Sequence, residues 1–112
     1  MSDLHTLYDE AEKLKDAGNP EEAIGKLQEI IEQDDSFILA HLTLAVLYGR
    51  VNKHAEAVQH GEKACELEPD EAFNFTAMSV TYQRAFAGTQ NQQYIQMAED
   101  AMARAHMLQA NQ

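Results

Sequence analysis

The chain has 112 residues and a formal charge of −11, from 19 acidic and 8 basic side chains. That length fits one domain around one continuous core, and an apolar content of 45% is ordinary for a globular protein. So acidic a surface repels phosphate backbones and anionic bilayers, which removes nucleic acid and membranes from the expected partners. It serves solubility first, and it can speed association with a basic partner.

No apolar run approaches the roughly 18–20 residues that a membrane helix needs. The stretch Met1 to Thr6 lacks the basic and apolar blocks of a secretory signal. Cys65 is the only cysteine and cannot make an internal disulfide. A reducing, cytoplasmic setting is the expectation.

Ser2 and Asp3 are candidate caps of a first helix, along which Leu4, Leu7, Ala11, Leu14 and Ala17 follow at helical spacing. Gly18 can end that helix in a left-handed conformation. Asn19 is placed to cap a second, with Pro20 in its first turn, where the missing N–H costs nothing. Ala23, Ile24, Leu27, Ile30 and Ile31 form the apolar face of the second helix, and Asp34-Asp35-Ser36 is expected to end it and cap the third. The third helix is apolar almost all round, from Phe37 to Tyr48, so it is either buried on every side or keeps a face for a ligand. After a break at Gly49–Lys53, a fourth helix carries Ala55, Ala57, Val58, Ala64, Cys65 and Leu67. Its central Gly61, which costs about 1 kcal/mol relative to Ala, suits a close approach of two backbones. Pro69 and Asp70 break the chain again. A fifth helix is predicted from about Glu71 to Ala87, a break at Gly88–Asn91, and a sixth helix to about Gln109. No segment sustains the period-two alternation of a half-buried strand.

A period of 34 residues runs through these elements. Tyr48 recurs as Tyr82, Ala23 as Ala57, Leu44 as Met78, and Asp35 stands where Pro69 follows. A fixed period of this size means stacked copies of one small unit. In the last copy, Tyr82 to Ala98 spans 16 residues where Tyr48 to Ala57 spans 9, and both Ala64 to Ala105 and Leu67 to Leu108 are 41 apart. Seven extra residues therefore sit at the last turn, enough to lengthen each flanking helix by about one turn and to bring Phe86, Tyr94 and Ile95 together in a tip.

The run Leu44-Ala45-x-x-Tyr48, followed by Ala57, Gly61, Ala64 and Pro69, resembles the tetratricopeptide repeat family, whose unit is a helix–turn–helix of this length. The register covers nearly the whole chain as repeats of about 4–37, 38–71 and 72–112. His41 stands where that family prefers Trp, and Glu10 occupies an apolar slot, so the first repeat should pack less fully. The resemblance implies an all-α domain of six helices, three tandem hairpins in a short right-handed superhelix.

The resemblance also implies that the first helix of each hairpin lines a concave groove. Carried onto this chain, the partner-binding positions are Tyr8 and Glu12 from the first repeat, Leu39, Leu42, Thr43, Val46 and Arg50 from the second, and Phe73, Thr76, Val80 and Arg84 from the third. The groove would have an acidic edge, an apolar floor and two arginines at one end. An apolar floor suits a peptide or partner protein that lays down hydrophobic anchors. A homodimer formed through the groove or through the Met-bearing last helix (Met97, Met102, Met107) is the alternative, although most of that helix's apolar residues are expected to face the fifth. Some relatives clamp the terminal carboxylate of chaperone tails with Lys, Asn and Arg. The matching slots here hold Tyr8, Glu12, Thr43, Phe73 and Ala77, which argues against that activity.

The residues give no support to catalysis or to a cofactor. The five histidines show no i, i+3 or i, i+4 pairing with one another or with Cys65, the spacing a helical zinc site wants. His41 reads as a packed residue and Cys65 as a small apolar one. No carboxylate pair sits where its two pKa values would be driven apart. The reading is a protein-interaction module, an adaptor, scaffold or assembly factor, with no enzymatic role.

Overall fold

A computed structural model describes residues 3–111, and the candidate capping role of Ser2 lies outside them. Within this range the chain forms helices α1 (Leu4–Asp16), α2 (Pro20–Gln33), α3 (Ile38–Arg50), α4 (His54–Leu67), α5 (Ala72–Thr89) and α6 (Gln93–Ala110). No strand occurs among the described residues. α1 packs on α2, α3 on α4 and α5 on α6, as hairpins joined by short turns; α2 lies on α3, while α5 rests on both α4 and α3. The result is a slab of 41 × 34 × 21 Å.

The turns follow their residues closely. Gly18 takes the left-handed conformation at φ +82°, and two non-glycine residues, Asn52 and Gln90, do the same at φ 65° and 61°. Asp3 caps α1 by accepting from the His5 N–H, and Glu71 caps α5 by accepting from the Phe73 N–H. Asn19 and Pro20 open α2 as expected, but the Asn19 side chain makes no capping bond. The turn before α3 differs more. Asp34 Oδ1 accepts from the backbone N–H and the hydroxyl of Ser36, and the residue that precedes the helix is Phe37, without a side-chain cap. This acidic segment folds on itself and does not cap α3.

Gly88 and Thr89, expected in a break, remain helical, and the chain turns at Gln90. α5 and α6 are each 18 residues long, against 13 or 14 for the other four helices. Tyr94 stacks on Tyr82 with ring centroids 6.0 Å apart.

One apolar cluster unites Leu7, Ala11, Ile24, Leu27, Ile30, Leu44, Leu47, Tyr48 and Ala57; a second unites Val58, Met78, Tyr82, Ala85, Ala98 and Ala101. Each large aliphatic side chain sealed there contributes roughly 1.5–3 kcal/mol. The repeat shows in the polar details as well. Gln28 Nε2 donates to the Tyr48 hydroxyl at 2.6 Å, and one period later the Tyr82 hydroxyl donates to Glu62 at 2.6 Å. Burial, aided by the Glu62 carboxylate, raises the Tyr82 phenol well above its usual range.

Two expectations about close packing need revision. Gly61 does not bring two backbones together. A Cβ there would stand 2.7 Å from Met78 Sδ, so the glycine makes room for a side chain of α5. On α6, Ala98, Ala101 and Ala105 are the residues buried against the fold, while Met97 and Met107 point outward. Glu10, in its apolar slot, is exposed and pairs with Lys26 at 3.6 Å.

Candidate partner-binding groove

α1, α3 and α5 together frame a groove of about 540 Å³. Its lining includes Tyr8, Glu12 and Lys15 from α1, Leu39, Leu42, Thr43 and Val46 from α3, and Phe73, Thr76, Val80 and Arg84 from α5. Ten of the eleven partner-binding positions expected from sequence are thus brought to one surface. The exception is Arg50. It lines a neighbouring cleft of about 440 Å³, with Gly49, Asn52, His54, Arg84, Ala87 and Gly88. The two depressions share Arg84.

The floor is apolar and open. Leu39 is 43% exposed, Phe73 63% and Val80 39%, and Leu42 and Val46 are half-buried beside them. These side chains are left over from core formation because the hairpin interior is filled by other positions of the same helices: Ala40, Leu44 and Leu47 on α3, Met78 and Tyr82 on α5. One helix therefore serves two surfaces, which is why α3 reads as apolar nearly all round.

The edge formed by α1 behaves differently. The Tyr8 hydroxyl lies 3.0 Å from Thr43 Oγ1, Thr43 donates to Glu12 Oε1 at 3.4 Å, and Lys15 holds Glu12 Oε2 at 3.0 Å. Thr43 is only 7% exposed. Burial raises the Tyr8 phenol. Burial also pushes the Glu12 carboxyl up, but hydrogen bonds from Lys15 and Tyr8 outweigh it and hold the group below its usual range. Tyr8, Glu12 and Thr43 line the groove, yet their polar groups already satisfy one another.

Sequence reasoning missed the groove contributions of Lys15, Ala45, Gly61, Asn74, Met78 and Thr81. It also missed a histidine pair behind the groove. His41 is 2% exposed. Its Nε2–H donates to the Asp35 carbonyl at 2.7 Å, which leaves Nδ1 to accept from His60 Nδ1–H at 2.9 Å. His60 in turn stacks on Tyr48 at 5.6 Å. Distance from the turn does not reveal this pair, because His41 stands nine residues before the end of α3 and His60 only six after the start of α4. Burial, and then the neighbouring His41, push the His60 imidazole below its ordinary value. Cys65 is half-buried, and burial, with Glu62 nearby, pushes its thiol up to about 11. Its sulfur lies 3.5 Å from the Asn74 carbonyl, in contact with structure and not poised as a nucleophile. No group of three or more His, Cys, Asp or Glu among the described residues is placed to hold a metal ion. No helix among them is long and apolar enough to cross a membrane.

Stacked hairpins with a concave face formed by the first helix of each define the tetratricopeptide-repeat fold, and this chain has it. The likeness is to MamA, with a TM-score of 0.81 at 16% identity over 96% of this chain. It extends to the second TPR of Spaghetti (RPAP3) bound to the HSP90 peptide SRMEEVD, with a TM-score of 0.76 at 20% identity over 94% of this chain. YrrB, described as a TPR protein with an unusual peptide-binding site, gives 0.70 at 21% identity over 96%. The chain spans 59% of MamA and 55% of YrrB, but 91% of the Spaghetti domain. No family model matches the sequence, and no curated protein does.

Proposed function

We propose that this chain is a protein-interaction module that holds a peptide or an extended segment of a partner protein in its α1/α3/α5 groove. One observation carries the reading: Leu39, Phe73 and Val80, all exposed, are contiguous with half-buried Leu42 and Val46 on one concave surface. Contiguous exposed apolar surface rimmed by polar groups marks an interaction site, and a cleft with apolar anchoring points suits a ligand that lays side chains into it. Two of the structural neighbours, the Spaghetti domain and YrrB, are described with a bound peptide or a peptide-binding site, which supports the same use of the fold here. The terminal-carboxylate clamp remains disfavoured, because Tyr8, Glu12 and Thr43 occupy its slots and are already bonded to one another. The unit is read as three repeats of about 4–37, 38–71 and 72–112, the third enlarged at its turn, in an adaptor or assembly factor of the cytoplasm.

A homodimer through α6 has less support. Ile95, Met97 and Met107 are exposed, but Ile95 and Met97 fall on nearly opposite sides of the helix at 100° per residue, so they do not form one stripe. Phe73→Asp and Val80→Asp separate the readings. Both positions are exposed, and Phe73 lies in the first turn of α5, where an acidic residue is favourable. Partner capture by the full chain should be lost with unchanged helicity and a monomeric mass in light scattering. Capture that survives both substitutions refutes the groove.

A further inference from the structure

We propose that the cleft lined by Arg50, His54 and Arg84 is an anion subsite of the groove, and that it takes Asp or Glu side chains of the same peptide whose apolar side chains fill the floor. The inference rests on the groove reading above and adds the chemistry of the partner.

Charge is the first reason. The chain carries 19 acidic residues, yet no carboxylate lines this cleft. Lys15, Lys26 and Lys63 each hold a carboxylate, at 3.0, 3.6 and 3.4 Å, Arg104 lies over the Phe75 ring at 5.8 Å, and Lys13 and Lys53, which make no ion pair among the described residues, line neither depression. Arg50 and Arg84 are exposed, and neither makes an ion pair among the described residues. Two uncompensated guanidinium groups thus face one depression of a strongly acidic protein. Their mutual repulsion is relieved by an anion between them, and the guanidinium fork matches a carboxylate.

Position is the second reason. Arg50 and Arg84 are 34 residues apart, so they occupy the same place in successive repeats. Arg84 lines the groove as well as the cleft. A peptide anchored over Leu39, Val46 and Val80 runs directly onto the two arginines.

The cleft also holds an unsatisfied group. Both ring nitrogens of His54 are buried without a partner, with the ring packed against Gly88. α4 begins at the same residue with no side-chain cap, and its free N–H groups favour negative charge. The C-terminal carbonyls of α3 oppose this within the last turn, where Arg50 itself offsets them. The subsite lies away from the slots that relatives use to clamp a terminal carboxylate, so the acidic groups belong to the body of the peptide.

A display library of random short peptides, with both termini blocked by fusion, provides the test. It is selected on the full chain, and binders that are lost on Val80→Asp are taken as groove-dependent. The inference predicts an excess of Asp and Glu beside the apolar anchors in that set. On Arg50→Ala/Arg84→Ala the excess should vanish and affinity for the acidic peptides fall about tenfold or more. Peptides with Asp→Asn and Glu→Gln should bind the wild type and the double variant alike. On Arg50→Glu/Arg84→Glu the selection should turn to Lys and Arg. Groove-dependent peptides without acidic excess, or an excess that persists on the double variant, overturn the subsite and leave the groove standing. Failure to obtain any groove-dependent peptide overturns both.

Discussion

Asn74 offers a sharp test of how α5 is held in place to build the groove. It is 2% exposed at the start of α5. Its side-chain amide donates to the Ala64 and Glu68 carbonyls at 3.4 Å each, a second bond to two acceptors at the C-terminal end of α4 that already take the Glu68 and Glu71 N–H groups. A neutral hydrogen bond contributes about 0.5–1.5 kcal/mol net, and these two are long, so Asn74→Ala should cost roughly 1–2 kcal/mol. Asn74→Asp has nearly the same shape and volume but presents a carboxylate to two carbonyl oxygens. It removes both donors and adds repulsion, and a buried charge without a partner is strongly unfavourable. Its cost should exceed that of alanine, at about 3 kcal/mol or more. Urea unfolding followed by circular dichroism gives both values, provided the m-value stays unchanged. If Asn74→Asp proves as stable as Asn74→Ala, the amide is not acting as a donor, and this account of the α4–α5 junction is wrong.

Three further outcomes follow from the packing and the titrating groups. Gly61→Ala should gain less than the helix-propensity term of about 1 kcal/mol, because the end of the buried Met78 side chain must shift to admit the new methyl group. In a Met78→Ala background the same change should realise the full gain of about 1 kcal/mol, and an equal gain in both backgrounds refutes the steric reading. Burial and His41 depress His60 below its ordinary 6.5, so the unfolded chain binds more protons just below that pH. Stability from this site is therefore complete above about 6.5 and is lost as pH falls through that value toward the depressed one. Thermal melts across this range should show a decline that His60→Gln flattens, and parallel profiles would contradict it. Cys65, with its thiol raised from 9.0 to about 11, should react with iodoacetamide near neutrality roughly a hundredfold more slowly than a free thiol. A rate equal to that of the free thiol rejects the assignment.

The repeat made most of the fold legible. Once Tyr48 falls on Tyr82 and Ala23 on Ala57, the helix pairs and the concave face follow, because each position does the same work in every copy. What periodicity could not reach were features that break the copy. Asp34 bonds Ser36 within the turn and does not cap α3, since a short acidic side chain can satisfy local backbone groups in either way. Gly88 stays helical because the left-handed turn falls at Gln90, a residue with no strong turn signature. The divergence of Arg50 from the groove has a geometric cause. It is the last residue of α3 and lies at the mouth of the α3–α4 turn, where a linear register cannot say which depression it enters. The mutual bonding of Tyr8, Thr43 and Glu12 was hidden for the opposite reason. It joins residues more than thirty positions apart.

The most direct measurement of the central claim is amide chemical-shift mapping of the chain titrated with a peptide selected on it. The account predicts that the largest changes fall on Leu39, Val46, Phe73, Val80 and Arg84, and that Val80→Asp abolishes them. Changes centred on α2, α4 or α6, with the α3 and α5 residues unmoved, would contradict it.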